Sequence, residues 1–202
     1  MLVWINGAFG AGKTHTAHEL HRRLATSHVA DPELIGFAIH RMLPAGERGD
    51  FQNRPQWRSA VLETLVQADR SSDGPVIVPM TLVEDAYFDE IVGGLRSRGV
   101  DVRHYALTSS SATIHRRLRT RAAAMFGRIV GADETWAMQQ TNRCVAALAH
   151  EKYATHMSNE NRSIDEVVEH IADHAGLELV RPRLGTLGAL RRRAAVSIAH
   201  IR

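Results

Sequence analysis

The stretch Gly7-Ala8-Phe9-Gly10-Ala11-Gly12-Lys13-Thr14 matches the phosphate-binding loop pattern G-x-x-x-x-G-K-[ST] at every fixed position. The short apolar run at residues 2–5 comes directly before it and suits a buried parallel strand. Residues 14–24 follow it and carry helix formers with apolar side chains at helical spacing. Strand, glycine loop and helix in this order are the context that the motif needs. The stretch therefore predicts a P-loop protein of the α/β class rather than a glycine turn that binds nothing.

The loop predicts a ligand as well as a fold. Glycines let backbone N–H groups turn toward a phosphate and approach it closely, and the positive end of the following helix favours the anion. Lys13 would then reach the β- and γ-phosphates of ATP, and the Thr14 hydroxyl would bind Mg²⁺. We expect ATP and Mg²⁺ as cofactors and a catalytic role for Lys13. The predicted cofactor-binding residues are Gly7, Ala8, Phe9, Gly10, Ala11, Gly12, Lys13 and Thr14.

Composition narrows the class of protein further. The chain has 202 residues, 44% of them hydrophobic, and a formal net charge of +3, which suits one domain with an ordinary core. Its single cysteine, Cys144, excludes an internal disulfide and fits a reducing cytoplasm. No apolar run approaches the roughly 18 residues that a membrane span needs. The arginines cluster at residues 116–121 and 181–193 without interleaved aromatics, which favours phosphate or an anionic surface over nucleic acid.

Strand and helix patterns alternate along the chain, which is typical of a parallel α/β sheet. We predict a three-layer P-loop kinase-like fold with a mostly parallel five-stranded sheet flanked by helices. Residues 1–180 would form this domain, with a small helical lid at about 110–135, and residues 181–202 would form a basic amphipathic helix. The clearest strand patterns lie at residues 2–6, 28–30, 76–80 and 102–108, and the helix patterns at 14–24, 33–42, 56–70, 85–98, 110–124, 134–150 and 164–175.

Asp31 ends the second predicted strand, where ligands of open α/β sheets bind. A carboxylate there can accept the proton of a substrate hydroxyl as it attacks phosphorus. The sequence Asp31-Pro32-Glu33 is equally a helix start, with Asp at the N-cap and Pro at the first helical position. General base and helix cap both remain open, and the two roles are compatible.

Further candidates for chemistry lie in the arginine-rich helix and in the middle of the chain. Arg117 and Arg121 are four residues apart and share a helix face, as guanidinium groups over a transferring phosphate would. A solvated basic face is the alternative. The aromatics near Pro55 would line a substrate pocket or pack in the core. The predicted substrate contacts are Asp31, Phe37, Arg41, Trp57, Arg58 and Thr81.

The C-terminal residues 183–202 combine apolar side chains at helical spacing with flanking arginines. The pattern is typical of an interfacial amphipathic helix, which would give peripheral contact with the inner face of the membrane. A last helix docked on the domain is the alternative.

Several stretches resemble the bacterial ATP-binding tunicamycin-resistance protein family over nearly the whole chain. They are residues 4–14, 31–33 with 36–38, 78–81, 117–121, 142–145 and 200–202. The resemblance implies a kinase-like P-loop fold, ATP binding and resistance to a nucleoside antibiotic that blocks lipid-linked sugar transfer. The chain carries Thr81 where many P-loop enzymes place an acid at the end of strand three.

Motif and resemblance together predict an ATP-dependent small-molecule phosphotransferase that acts on tunicamycin or a related uridine-containing amphiphile. Lys13, Arg117 and Arg121 would neutralise developing charge, and Asp31 would accept the hydroxyl proton. The alternative is a non-catalytic binder that sequesters the antibiotic at the membrane surface.

Overall fold

A computed structural model describes residues 1–124, 132–153 and 155–199 of the chain. The strands are β1 Leu2–Gly7, β2 His28–Val29, β3 Val76–Pro79, β4 Val102–Thr108 and β5 His156–Ser158. The helices are α1 Lys13–Arg23, α2 Glu33–Met42, α3 Pro55–Ser71, α4 Asp85–Phe88, α5 Gly94–Ser97, α6 Ser111–Ala124, α7 Ala132–Leu148, α8 Ile164–Ala175 and α9 Thr186–Ala199. A π-helical turn, Asp89–Gly93, joins α4 to α5.

The five strands form one parallel sheet in the order β2-β3-β1-β4-β5. This arrangement, with helices on both faces, confirms the predicted α/β kinase-like fold. β1 is the central strand and is fully buried, as the apolar run before the loop predicts. β5 was not placed by the sequence pattern, because it has three residues and only Met157 is buried.

Alternating side chains of β1 supply two separate cores, one on each face of the sheet. Leu2 and Trp4 pack with residues of α3 and of the α4–α5 segment. Val3 and Ile5 pack on the opposite face with residues of α1 and α8. The sheet is therefore covered on both faces, and the loop after β1 emerges at its carboxyl edge.

Helix α8 begins where the sequence predicts it. The Ser163 hydroxyl accepts from the Glu166 N–H, and the Glu166 side chain accepts from the Ser163 N–H, so the capping box is confirmed. Gly176 ends the helix in the left-handed region at φ 66°. Within the described residues, no helix is both long and apolar enough to cross a membrane.

Candidate functional site

The glycine loop connects β1 to α1 at the centre of the sheet's carboxyl edge. Gly10 and Gly12 adopt φ values of +82° and +92°, which other residues rarely take. A Cβ on Gly10 would also lie 2.9 Å from Cγ of Leu118 in α6, so the loop is packed closely against that helix. The first turn of α1 has no side-chain cap and no acidic residue. Its N–H groups and its positive dipole end therefore suit a phosphate.

Lys13 is held inside the loop. Its side-chain ammonium donates to the carbonyl oxygens of Gly7 at 3.0 Å and Ala8 at 3.2 Å. The ammonium lies 5.4 Å from the ring centre of Phe9. Only 8% of Lys13 is exposed, so its charge acts where little water screens it. These contacts place a cation next to the backbone groups that would receive a phosphate.

The loop is tied to the end of β3 by two buried side chains. Asn6 Oδ1 accepts from the N–H of Gly7 at 2.8 Å and of Leu82 at 3.0 Å, and Asn6 Nδ2 donates to the Leu82 carbonyl at 2.7 Å. The Thr81 hydroxyl donates to the Gly7 carbonyl at 2.8 Å, and Thr81 is 2% exposed. The structure therefore places Thr81 as a brace of the loop. Its predicted contact with substrate stays a prediction.

A second brace comes from the end of β5, and the sequence pattern missed it. Asn159 Nδ2 donates to the Ala11 carbonyl of the loop at 2.6 Å, and its Oδ1 accepts from the Ser109 hydroxyl. Arg117 donates to Asn159 Oδ1 at 3.3 Å and to the Asn159 carbonyl at 2.7 Å. Asn159 is 2% exposed. The local signal was absent because Asn159 and Ala11 are 148 residues apart.

Arg117 thus contacts Ser109 and Asn159, and Asn159 in turn contacts the loop. The predicted role of Arg117 over a transferring phosphate stays a prediction. Burial lowers the pKa of its guanidinium, which stays charged at any physiological pH. Glu160 holds the start of α6 by accepting from the Ser110 N–H at 2.6 Å and from the Thr113 hydroxyl. The hydrogen bond from Thr113 is the main cause of a lowered pKa at Glu160. The side chain of Arg121 and residues 125–131 of the predicted lid lie outside the described part of the chain.

Asp31 lies two residues beyond the end of β2 and is half-buried. Its Oδ1 accepts from the Glu33 N–H at 3.0 Å, so the capping interaction that the sequence allowed is present. The parallel order puts β2 next to β3 and β3 next to β1. Asp31 therefore follows a strand end at the same edge of the sheet as the phosphate loop, which leaves room for both roles.

The other predicted substrate residues are spread over different environments. Trp57 is fully buried in the core and its Nε1 donates to the Pro32 carbonyl at 3.1 Å. Arg58 forms an ion pair with Glu90 at 2.5 Å and lies 4.3 Å from the ring centre of Tyr87. Trp57 therefore packs in the core, which is the alternative to lining a substrate pocket, and its indole holds the start of α2. Phe37 is partly buried, 6.3 Å from the ring centre of Phe51, and Arg41 is exposed.

The loop fits a nucleotide with its metal. Thr14 is partly exposed in the first turn of α1, where its hydroxyl is next to the phosphate-binding amides. The described residues contain no cluster of three or more His, Cys, Asp or Glu side chains that could hold a metal ion. A magnesium ion at this site would therefore be held by Thr14 together with phosphate oxygens, as is usual for magnesium in phosphate-transfer sites.

The sheet order and the loop together define a P-loop protein with a kinase-like fold. The profile described as an AAA domain matches residues 2–147. At the level of fold, the chain is similar to a gluconokinase from Sinorhizobium meliloti, with a TM-score of 0.58 and 16% identity over 99% of this chain and 97% of that one. A shikimate kinase from Bacteroides thetaiotaomicron gives a TM-score of 0.57 and 16% identity over 88% of this chain and 99% of that one.

A more specific similarity is to the tunicamycin resistance protein of Deinococcus radiodurans. The TM-score is 0.73 and the identity 33%, over 90% of this chain and 99% of that one. No curated protein matches the chain. The chain therefore belongs to the AAA-domain family of P-loop proteins and, within it, to the tunicamycin resistance proteins, as the sequence resemblance implies.

Proposed function

We propose that this protein is an ATP-dependent phosphotransferase that modifies a hydroxyl group of tunicamycin or a related uridine-containing antibiotic. The observation that carries the proposal is a complete phosphate loop, held by Asn6, Thr81 and Asn159, with a carboxylate just beyond β2 at the same edge of the sheet, two strands away from β1. The kinase-like fold and the similarity to a tunicamycin resistance protein support it.

In the proposed reaction, an oxygen of the substrate hydroxyl attacks the γ-phosphorus of ATP and the bond to the β-phosphate oxygen breaks. The hydroxyl proton passes to the carboxylate of Asp31, and ADP leaves with the bond's electron pair. Lys13 and Arg117 stabilise the negative charge on the phosphate oxygens. Magnesium, when bound, would neutralise charge on the β- and γ-phosphates.

A specific observation favours the alternative of an ATP-dependent binder that sequesters the drug. Asp31 already accepts the Glu33 N–H as a helix cap, and Thr81 replaces an acid at the end of β3. If the carboxylate serves only as a cap, the same site would bind nucleotide and drug without transferring phosphate.

Mass spectrometry of tunicamycin after incubation with the protein and Mg-ATP separates the two functions. We expect a mass increase of one phosphoryl group with the wild type. Asp31→Asn keeps the shape and the capping oxygen, so melting temperature and ATP binding should hold while turnover falls by about 10²–10⁴-fold.

Lys13→Ala is the matched variant in the same assay, and it should lose ATP binding itself. A wild type that binds drug and ATP but never yields a phosphorylated product would support sequestration. Wild-type turnover in a folded Asp31→Asn protein would remove Asp31 from the mechanism while leaving the enzyme activity in place.

A further inference from the structure

A polar side chain, His104 of β4, is buried on a face of the sheet that is formed mainly by apolar side chains. His104 is 4% exposed, and it lies beside Trp4 in the pairing of β4 with β1. The strand neighbours on the same face, Val102 and Ala106, belong to the core that contains Trp4. A buried imidazole in such surroundings needs hydrogen-bond partners, because an unpaired polar group there costs free energy. His104 therefore indicates a polar contact that core packing alone does not require.

His104 contacts the side-chain amide of Asn6, the residue before the phosphate loop. His104 Nε2 lies 3.2 Å from Asn6 Nδ2. The other contacts of Asn6 determine which end of its amide is which. The backbone N–H groups of Gly7 and Leu82 both donate to one atom, which must be the oxygen, and the other atom donates to the Leu82 carbonyl at 2.7 Å. The second amide proton of Asn6 then points to His104.

These contacts determine where the His104 ring carries its proton. Because Asn6 Nδ2 can only donate, His104 Nε2 must accept the hydrogen bond and so carries no proton. The ring is then neutral, with its proton on Nδ1. A ring protonated at Nε2, as the other tautomer or as the cation, would direct an N–H at the amide N–H of Asn6.

The orientation of the Asn6 amide affects the phosphate loop through Gly7. The Gly7 N–H donates to Asn6 Oδ1 at 2.8 Å. The Gly7 carbonyl accepts from the Lys13 ammonium at 3.0 Å and from the Thr81 hydroxyl at 2.8 Å. If the Asn6 amide turned over, its Nδ2 would face the Gly7 N–H, which would lose its acceptor. His104 thus contacts the side chain that holds the peptide to which Lys13 is bound.

We propose that His104 is a positioning residue of the phosphate loop. Its neutral ring, unprotonated at Nε2, holds the Asn6 amide in the orientation that supports Gly7 and Lys13. His104 acts through Asn6 and not by contact with a phosphate. The inference deepens the proposed function and rests only on its nucleotide-binding part, not on phosphate transfer.

The first test is ¹⁵N NMR of the histidine rings in the nucleotide-free protein at neutral pH. The signals of His104 are those that disappear in His104→Gln. We expect the chemical shift of an unprotonated nitrogen for Nε2 and that of a protonated nitrogen for Nδ1. A protonated Nε2 would overturn the proposal. This measurement concerns the wild-type ring, so it decides the proposal even if other variants do not fold or ATP does not bind.

The second test compares two substitutions of His104 by isothermal titration with Mg-ATP. His104→Phe fills the space beside the rings of Phe88 and Tyr153, which lie 5.0 Å and 6.2 Å from the His104 ring, but it offers no acceptor to Asn6. We expect a roughly 5- to 10-fold higher Kd for Mg-ATP, which corresponds to one lost hydrogen bond. His104→Gln offers a side-chain oxygen in place of Nε2 and should bind Mg-ATP like the wild type.

Tyr153→Phe is the matched control, because it alters the same aromatic cluster without touching Asn6. It removes the hydroxyl that donates to Asp85 at 2.8 Å, so the melting temperature should fall while the Kd for Mg-ATP stays at the wild-type value. Equal losses of affinity in Tyr153→Phe and His104→Phe, or wild-type affinity in folded His104→Phe, would refute the positioning role. A wild-type protein that does not bind Mg-ATP would instead refute the proposed function itself.

Discussion

Asn159→Ala should destabilise the protein and loosen the phosphate loop. The substitution removes the hydrogen bond to the Ala11 carbonyl and the acceptor that Ser109 and Arg117 share. All of these groups are buried or partly buried, and a buried polar group left without a partner costs about 1–3 kcal/mol. With partial relaxation of Arg117 toward water, we expect a loss of about 2–4 kcal/mol in the free energy of unfolding.

The effect on ATP binding follows from the position of Ala11 within the loop. Asn159 fixes the carbonyl of Ala11 immediately before Gly12 and Lys13, so the variant keeps only the hydrogen bonds that Asn6 and Thr81 make to the loop. One ordering hydrogen bond of about 1–1.5 kcal/mol corresponds to a roughly 5- to 10-fold higher Kd for ATP. Isothermal titration with Mg-ATP measures this change, and thermal unfolding should give a melting temperature lower by about 5–15 °C.

Asn161→Ala is the control, because Asn161 is exposed two residues further along the same loop. It should leave both measurements within error of the wild type. A folded Asn159→Ala protein with wild-type melting temperature and ATP affinity would refute the bracing role, as would equal losses in the two variants.

Two other predictions address the hydrogen bond from Thr81 to the loop and the response of the protein to acid. Thr81→Val removes the hydroxyl that donates to the Gly7 carbonyl and should cost about 1–2 kcal/mol in unfolding free energy; a higher KM for drug at unchanged stability and ATP affinity would instead assign Thr81 to substrate binding. Glu169 pairs with Arg183 and Arg23, which lowers the pKa of its carboxyl to about 2. Because this folded pKa lies below the unfolded value, the pairing stabilises the protein above about pH 4.5 and its contribution disappears as pH falls toward 2. After screening by solvent, we expect the free energy of unfolding, measured by urea titration, to fall by about 1–2 kcal/mol over this pH range. The Glu169→Gln variant should not show this fall, whereas the control Glu178→Gln should show it. The same acid response in wild type and Glu169→Gln would contradict the assignment to Glu169.

Some features follow from the sequence alone because the physics behind them is local. The phosphate loop needs glycines at positive φ, an apolar strand before it and a helix after it, and all three lie within the first 23 residues. The start of α8 is equally local, since Ser163 and Glu166 cap each other within one turn. The family resemblance likewise rests on stretches that can be read from the sequence.

Other features depend on contacts between distant segments, and only the tertiary structure decides them. Asn159 braces the loop because β5 ends beside it, although nothing in the three-residue strand marks that role. Trp57 lies in the core because α3 packs against the sheet beside β1. By sequence, the apolar stripe of helix α9 contains Leu187 and Leu190, yet both leucines are exposed. The buried residue of the helix is Val196, which lies on the opposite side. Which side of α9 is buried depends on the surface of α1, whose His15 and His18 line a cleft together with Arg192 and Val196. Helical periodicity carries no information about such a neighbouring surface.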